Sequence, residues 1–260
     1  MTEPAPIEFG LFDWMDASGR DTTTHYDERL ALARRADEGG FARYHVAEHH
    51  GTPLGLVSSP AVWLAAVARE TRRIRLVPTT FIVPFYDPLR LVEEIGMLDA
   101  LSHGRLEVGI GKGSSPVEAA MFGFDRDTVA YFAQATGAAP RFGILRHTLV
   151  ADTDREAFAL AERAFAEHHA SFTWLWRKAG TPGSDDTPDL RDLVERHLFF
   201  VGSPESVRDQ VSHAVDVTGV NYLAGAFAWG GLPADAALRS LDLFDEHVIP
   251  ALTCRAAAAR

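Results

Sequence analysis

The stretch "IRLVPTTFIVPFYDPLRLVEEIGMLDALSHGRLEVGIGKG", residues 74–113, decides the fold class. Its apolar and β-branched run at 74–84 predicts a strand. The Asp-Pro pair that follows begins a segment, 87–102, with helical spacing of apolar residues, and a second strand pattern occupies 105–113. Two strands joined through a helix are typical of a parallel β-α-β unit with a right-handed crossover.

The same alternation continues on both sides of this unit. Further strands are predicted at 7–15, 42–50, 141–152 and 220–231. Helices are predicted at 26–40, 59–73, 153–180, 203–219 and 235–252. Strands interleaved with helices predict an α/β fold, and the spacing favours a (β/α) barrel, although periodicity is also compatible with an open doubly wound sheet. A chain of 260 residues fits one such barrel, so we predict a single domain over 1–260.

The composition narrows the class of function. A net charge of −11 disfavours binding to nucleic acid or to an anionic membrane. The single cysteine, Cys254, excludes an internal disulfide and fits a reducing compartment. No signal-peptide pattern and no apolar run of membrane-spanning length occurs. We therefore expect a cytoplasmic protein that acts on a small molecule.

The predicted strand at 42–50 ends in "EHHG". Neighbouring strand residues point to opposite faces, so His49 and His50 cannot readily bind one metal ion, and no third ligand lies at suitable spacing. We predict no metal site. The carboxyl ends of parallel strands hold the active site in α/β folds, which makes Glu48, His49 and His50 candidate site residues. A second "EHH", at 167–169, lies in a predicted amphipathic helix and is interpreted as part of its solvated face.

The turn "GIGKGSS", residues 109–115, combines three glycines with Lys112. Backbone N–H groups and a cation in such a turn suit an anion site. The same glycines are equally typical of a tight turn that binds nothing. The spacing does not match the dinucleotide-binding fingerprint, so the pattern by itself leaves both interpretations open.

Several of these stretches together resemble the bacterial luciferase-like flavin-dependent monooxygenases. They are "FGLFDWMD" (9–16), "YHVAEHHG" (44–51), the stretch 77–115, "FVGSPESVRDQVSHAVDVTGVNYLAGAF" (200–227) and "RSLDLFDEHVIP" (239–250). The resemblance runs in order over 7–123 and 141–252. It implies a TIM barrel that binds FMN at the carboxyl ends of its strands and uses reduced flavin and O₂ to oxidise a small organic substrate. A separate flavin reductase would supply the reduced FMN, because the chain has no nicotinamide-binding motif.

The resemblance also implies roles for individual residues. His49 matches the acid/base histidine of the luciferases. Thr79 and Thr80 fall where the family often has a non-prolyl cis peptide against the flavin ring. Gly111 matches a position beside the reactive flavin carbon, and Lys112 replaces an arginine that contacts the phosphate. The predicted cofactor-binding residues are Phe12, Glu48, Thr79, Thr80, Gly111, Lys112, Gly113 and Ser114. The predicted substrate pocket contains Trp14, His50, Phe227 and Trp229.

The chain departs from the family pattern between Gly123 and Arg141, which only 17 residues separate. A further β-α-β unit takes roughly 30 residues. We therefore expect an internal deletion near 123–141 that removes the fifth and sixth barrel strands and leaves about six. Two other functions stay open: a non-catalytic flavin-binding protein, like the shortened non-fluorescent flavoprotein related to luciferase, and an F420-dependent dehydrogenase.

The helices predicted at 59–73 and 87–102 carry apolar faces. The residues are Val62, Trp63, Ala66 and Val67 on the first helix and Leu91, Ile95 and Leu98 on the second. The corresponding helices of the luciferases form the subunit interface, so the resemblance implies a homodimer. Alternatively, the same faces pack on the chain's own strands.

Overall fold

The computed structural model describes residues 7–17, 19–123, 143–183, 186–218, 220 and 222–252. The strands are β1 (Glu8–Asp13), β2 (Arg43–Val46), β3 (Arg75–Pro78), β4 (Phe81–Ile82), β5 (Ile110–Gly111), β6 (Gly143–Val150), β7 (Phe199–Gly202) and β8 (Tyr222–Ala226). The helices are α1 (Thr22–Glu38), α2 (Pro60–Glu70), α3 (Pro88–Leu101), α4 (Pro116–Met121), α5 (Asp154–Lys178), α6 (Leu190–Glu195), α7 (Pro204–Thr218) and α8 (Ala234–Leu243). Within these residues no helix is both long and apolar enough to cross a membrane. Apart from Gly123, the predicted deletion near 123–141 lies outside them.

Six of the strands form one sheet in the order β3-β2-β1-β8-β6-β7. Every ladder in it is parallel, so the carboxyl ends of its strands lie along one edge. β4 and β5 form a separate parallel pair, which an isolated bridge between Leu76 and Leu106 connects to the edge of β3. The prediction of an α/β fold with about six parallel strands is confirmed.

The membership of the sheet differs from the prediction. The segment predicted as a strand at 105–113 contributes only β5 and the bridge at Leu106. Pro78 has no N–H group to donate, which interrupts the ladder on this side of the sheet. At the other end, β7 pairs with the outer edge of β6 and becomes the sixth strand. This pairing covers backbone groups of β6 that would otherwise form an open edge.

Neighbouring residues of β1, β6, β7 and β8 enter different hydrophobic clusters, because neighbouring strand side chains point to opposite faces. Phe9 and Leu11 of β1 belong to a cluster that includes residues of α1, α2, α7 and α8. Phe12 belongs to a second cluster with residues of α5 and α6. Phe12 lies near the carboxyl end of β1, and Ala47 directly follows β2. Both belong to the second cluster and also line the candidate site described below.

The apolar faces predicted for a dimer interface lie largely inside the chain. Trp63, Val67, Leu91 and Leu98 are all buried, so for these four residues the alternative of packing within the chain is correct. Val62 of α2, which belongs to the predicted face, is exposed, and so are three apolar residues of α3 outside that prediction. Each is at least 65% exposed: Val62, Leu89, Val92 and Met97.

Asp37, near the end of α1, holds the turn that leads into β3. Its carboxylate accepts hydrogen bonds from the backbone N–H groups of Arg72, Arg73 and Ile74 at 2.8, 2.7 and 2.6 Å. Burial alone would raise the pKa of Asp37, but these hydrogen bonds hold it below its ordinary value. We expect Asp37→Asn to lower the free energy of unfolding at pH 7 by about 1–3 kcal/mol, since one acceptor oxygen and the negative charge are lost.

The sign of the pH dependence follows from the lowered pKa of Asp37. A carboxylate whose pKa is lower in the folded state stabilises the fold above its unfolded pKa of about 4. That stabilisation is lost as the pH falls through the folded value. Urea unfolding of both proteins between pH 7 and pH 3 should therefore show a difference that shrinks below about pH 4. A difference independent of pH would contradict the assignment.

Candidate functional site

A cavity of about 320 Å³ lies at the carboxyl ends of β1 and β2, beside the β4–β5 pair. This volume is at the lower end of the roughly 300–1,000 Å³ of small-molecule sites. Its walls are formed by Phe12, Trp14, Ala47, Glu48, His49, Thr79, Thr80, Ile82, Phe85, Lys112, Gly113, Ser114, Ser115, Glu118 and Phe172. Nine of the thirteen site residues predicted from the sequence are among them.

His49 lies in the cavity wall, and a carboxylate contacts one of its ring nitrogens. Its Nδ1 is 3.1 Å from Oε1 of Glu118, and its ring stacks against Trp14 with centroids 5.8 Å apart. If Nδ1 donates to the carboxylate, Nε2 is the unprotonated nitrogen. An imidazole held in this way can accept a proton at Nε2 and return it.

The sequence analysis missed Glu118. This residue is 3% exposed, and its second oxygen, Oε2, accepts a hydrogen bond from the backbone N–H of His50 at 3.2 Å. It lies in the first turn of α4, whose N-cap Ser115 accepts from the Glu118 N–H. The spacing Ser115-x-x-Glu118 is a helix-start signal, which would assign the carboxylate to capping. Only the tertiary structure directs it to His49 instead.

Glu48, a residue of the cavity wall, pairs with His50. The Glu48 carboxylate accepts hydrogen bonds from the Ile82 N–H at 3.1 Å and from the Tyr86 hydroxyl at 2.9 Å, and lies 2.8 Å from Nε2 of His50. Burial and the adjacent carboxylate raise the pKa of Tyr86, so its hydroxyl remains a donor. The His50 ring does not line the cavity and packs edge-on against Phe85.

The three glycines of "GIGKGSS" allow two backbone segments to approach closely. A Cβ on Gly109 would lie 2.3 Å from the Pro78 carbonyl oxygen, and one on Gly111 would lie 2.5 Å from Thr80 Oγ1. Gly113 has φ +79° and faces Ile82. Close packing of the backbone therefore accounts for Gly109 and Gly111. Gly111 lies behind Thr80 and does not line the cavity.

Lys112 and Ser114 lie at the exposed rim of the cavity. Among the described residues Lys112 makes no ion pair, so its ammonium group is available to an anionic ligand. Thr79 and Thr80 also line the cavity, and the peptide bond between them is cis, as the resemblance implied.

An aromatic side chain that the sequence analysis did not select, Phe172, completes the rim. It comes from the middle of α5, is 39% exposed, and contacts Trp14 edge-on at 6.5 Å. Its position in an amphipathic helix gave no local signal, because contact with the cavity depends on how α5 packs across the sheet.

Two predicted pocket residues, Phe227 and Trp229, are not brought to the cavity. Phe227 is fully buried and contacts Phe41 and Phe244. Trp229 is also fully buried, with its indole N–H 3.4 Å from the carbonyl oxygen of Thr148. Both follow β8 and pack in the hydrophobic clusters, Phe227 in the first and Trp229 in the second.

The interpretation of the second "EHH" as a solvated face is wrong for its middle residue. His168 is 4% exposed, and its Nδ1 is 3.4 Å from Oδ2 of the buried Asp16. Its ring lies 4.3 Å from that of His147. Burial, together with His168 and Arg146, holds the pKa of His147 well below its ordinary value. Within the described residues no cluster of three potential metal ligands occurs.

Comparison with known proteins gives the ancestry of this arrangement. The family model described as luciferase-like monooxygenase matches residues 7–129. The protein y4wF of Sinorhizobium fredii is 30% identical over 322 aligned positions, which cover 90% of this chain and 94% of the relative. The chain belongs to the luciferase-like monooxygenase family. The aligned stretch is longer than the 260-residue chain, so y4wF carries residues that have no counterpart here.

Several relatives whose activity is named are monooxygenases. The oxygenase component of the flavin-dependent trigonelline monooxygenase of Acinetobacter baylyi is 33% identical over 43% of this chain and 32% of its own length. The chain thus matches about a third of this relative. In structure, the fold resembles the oxygenating constituent of 3,6-diketocamphane monooxygenase from Pseudomonas putida, a type II Baeyer-Villiger monooxygenase solved in complex with FMN. The TM-score is 0.75 at 19% identity, covering 94% of this chain and 98% of the other.

Proposed function

We propose that this protein is an FMN-dependent oxidoreductase of the monooxygenase type that oxidises a small organic substrate. One observation carries the proposal: a histidine held by a buried carboxylate, His49 on Glu118, faces a cavity at the carboxyl edge of a luciferase-like sheet. Family membership and the flavin-dependent relatives support the cofactor assignment.

The cavity residues fit FMN chemically. Phe12, Trp14 and Ile82 offer an apolar surface for a flat ring system, while the Lys112 ammonium and the Ser114 hydroxyl suit a phosphate at the rim. Lys112 lacks the bidentate fork of the arginine that it replaces, so it binds phosphate as a point charge. Reduced FMN would supply the activation of O₂, and a separate reductase would supply the reduced flavin.

The chain's own residues would then handle protons and exclude water. His49 would accept a proton through Nε2 and return it, while Glu118 fixes the ring and stabilises its protonated form. The apolar walls at Phe12, Trp14 and Phe172 would keep water from the reacting atoms.

The absorption spectrum of the purified protein before and after addition of FMN tests the proposal. Bound flavin that turns over with a reductase and O₂ supports a monooxygenase. Bound flavin that never turns over would instead support the non-catalytic flavin-binding protein. A preference for the deazaflavin F420 over FMN would support the dehydrogenase.

FMN is expected to bind with a dissociation constant in the micromolar range or weaker, about −8 kcal/mol or less favourable. The reason is that Lys112 has few phosphate partners in the described part of the site. Lys112→Ala should weaken FMN more than riboflavin, which lacks the phosphate, as measured by fluorescence titration. Equal losses for both ligands would show that Lys112 does not contact the phosphate. Nanomolar binding would mean that another phosphate site exists.

We also propose a homodimer through the exposed apolar residues of α2 and α3. Val92→Glu is expected to shift the protein towards monomer at tens of micromolar, as measured by sedimentation velocity, because a charge replaces a side chain that is 66% exposed. Val217→Glu is the matched control, since Val217 is 69% exposed but lies on α7. A wild-type monomer at this concentration would rule out the dimer.

A further inference from the structure

A buried hydrogen-bonded chain leads from the interior of the sheet to the wall of the cavity. His45, on β2, is 9% exposed and has a hydroxyl group at each ring nitrogen. Its Nδ1 is 2.9 Å from Thr79 Oγ1, and its Nε2 is 2.5 Å from the Tyr222 hydroxyl. Thr79 lines the cavity, whereas His45 and Tyr222 do not. The catalytic assignment of His49 uses none of these three residues.

Glycines on the neighbouring strands leave space for the side chains of this hydrogen-bonded series. A Cβ on Gly10 of β1 would lie 1.9 Å from the Tyr222 hydroxyl oxygen and 3.1 Å from Nε2 of His45. On the other side of β8, a Cβ on Gly143 would lie 2.8 Å from Cδ1 of Tyr222. Tyr222 is thus accommodated by a glycine on each adjacent strand. A side chain at either position would displace the phenol from His45.

The direction of the hydrogen bonds follows from the chemistry of the groups. Burial, and then the charge of Arg43, lower the pKa of His45 to about 4, so the ring is neutral and carries one proton. A phenol is a stronger acid than an aliphatic hydroxyl, so the Tyr222 hydroxyl is a better donor than that of Thr79. The positive charge of the Arg43 guanidinium, 5.4 Å from the centroid of the Tyr222 ring, strengthens the phenol further as a donor. Tyr222 therefore donates to Nε2, and the ring proton is on Nδ1.

This direction determines what Thr79 offers to the cavity. Its oxygen accepts the Nδ1–H of His45, so its own hydrogen must point elsewhere. The acceptor that it meets among the described residues, the Val77 carbonyl oxygen, is 3.4 Å away, longer than an ordinary O–H···O bond. The hydrogen is then available to a ligand in the cavity.

We propose that His45, oriented by Tyr222, is a positioning residue that makes the Thr79 hydroxyl a hydrogen-bond donor to the group bound in the cavity. The ligand would place a carbonyl oxygen or an unprotonated ring nitrogen against Thr79. That this ligand is the flavin ring rests on the proposed function, whereas the direction of the hydrogen bonds does not.

The direction can be tested on the protein without ligand. In protein with ¹⁵N-labelled histidine, long-range ¹H–¹⁵N spectra report which ring nitrogen carries the proton, and His45→Asn identifies the His45 signals by their loss. We expect the proton on Nδ1 and a bare Nε2 at pH 7. A proton on Nε2 would overturn the proposal, because Thr79 would then donate to His45 and accept from the ligand.

A double-mutant cycle with FMN as the probe tests whether His45 acts through Thr79. Tyr222→Phe and Thr79→Val should each weaken FMN binding about 3- to 10-fold, the usual effect of one hydrogen bond. The double variant should be no weaker than the weaker single variant, because both changes remove the same interaction. Losses that multiply would overturn the coupling. Thr79→Ser, which keeps the hydroxyl, should bind FMN like the wild type.

A conservative substitution separates positioning from a structural role. His45→Asn retains an N–H near the position of Nδ1 and should keep FMN affinity within about 3-fold of wild type, whereas His45→Leu should lose as much as Thr79→Val. Equal losses in both His45 variants, at matched melting temperature, would overturn the proposal. If the wild type binds no FMN, the proposed cofactor is wrong, and the protonated nitrogen of His45 still decides this inference.

Discussion

Replacing His49 by alanine is expected to lower the turnover number about 100-fold or more, the range of a lost general acid/base. The melting temperature should stay nearly unchanged, because the side chain lines the cavity and, within the described part of the chain, has one polar contact, with Glu118. Steady-state kinetics with reduced FMN, O₂ and a responding substrate would measure the first effect, and a thermal melt the second.

Two controls sharpen this prediction. His50→Ala should do the reverse, with a loss of stability and a smaller kinetic effect, because the His50 ring does not line the cavity and instead contacts Glu48 and Phe85. Glu118→Gln keeps the shape of the carboxylate but removes its charge, and should lower turnover less than His49→Ala does. Full turnover in His49→Ala, or unfolding of that variant but not of His50→Ala, would show that the pair is structural.

Glu48→Ala is expected to lower the free energy of unfolding by about 3–5 kcal/mol, as when one member of a buried polar pair is removed. The carboxylate is fully buried and serves three partners: the Ile82 N–H, the Tyr86 hydroxyl and His50. Its loss leaves buried donors without an acceptor. Urea unfolding at pH 7 would measure the change. FMN binding should weaken as well, because Ile82 forms part of the cavity wall.

The matched control for Glu48 is Glu70→Ala. Glu70 pairs with Arg34 at 2.7 Å, but both side chains are more than 40% exposed, so the loss should be below about 1 kcal/mol. Glu48→Gln retains one acceptor oxygen and should lie between the two. A loss in Glu48→Ala as small as that in Glu70→Ala would mean that solvent replaces the three hydrogen bonds.

The local features of the fold could be predicted from the sequence because short-range chemistry determines them. Alternating strand and helix patterns predicted the α/β class, and Asp-Pro at 87–88 marked the beginning of α3. Strand alternation predicted different directions for the two histidines of "EHHG". β2 ends at Val46, before both of them, and it is the segment after the strand that places His49 in the cavity wall and His50 outside it. Most residues of the cavity wall were predicted from the resemblance, because the motifs that carry it lie at the ends of strands.

The remainder depended on contacts between residues that are distant in sequence. Glu118 reaches His49 across 69 positions, and Tyr222 reaches His45 across 177. The glycines of "GIGKGSS" look the same whether the turn binds an anion or packs on Pro78 and Thr80. Periodicity shows that α5 has a buried face but not what covers it, so it could not distinguish the buried His168 from a solvated one.

The sequence by itself determined the fold class, the family and the strand end that carries the candidate catalytic histidine, because neighbouring residues encode these features. Only the tertiary structure decided that β7 takes the edge beside β6, that Glu118 holds His49, and that a neutral histidine lies between Thr79 and Tyr222. The physical reason is the same in each case. A hydrogen-bond partner comes from whichever strand or helix packs alongside, and the crossover connections bring together elements that lie far apart in the sequence.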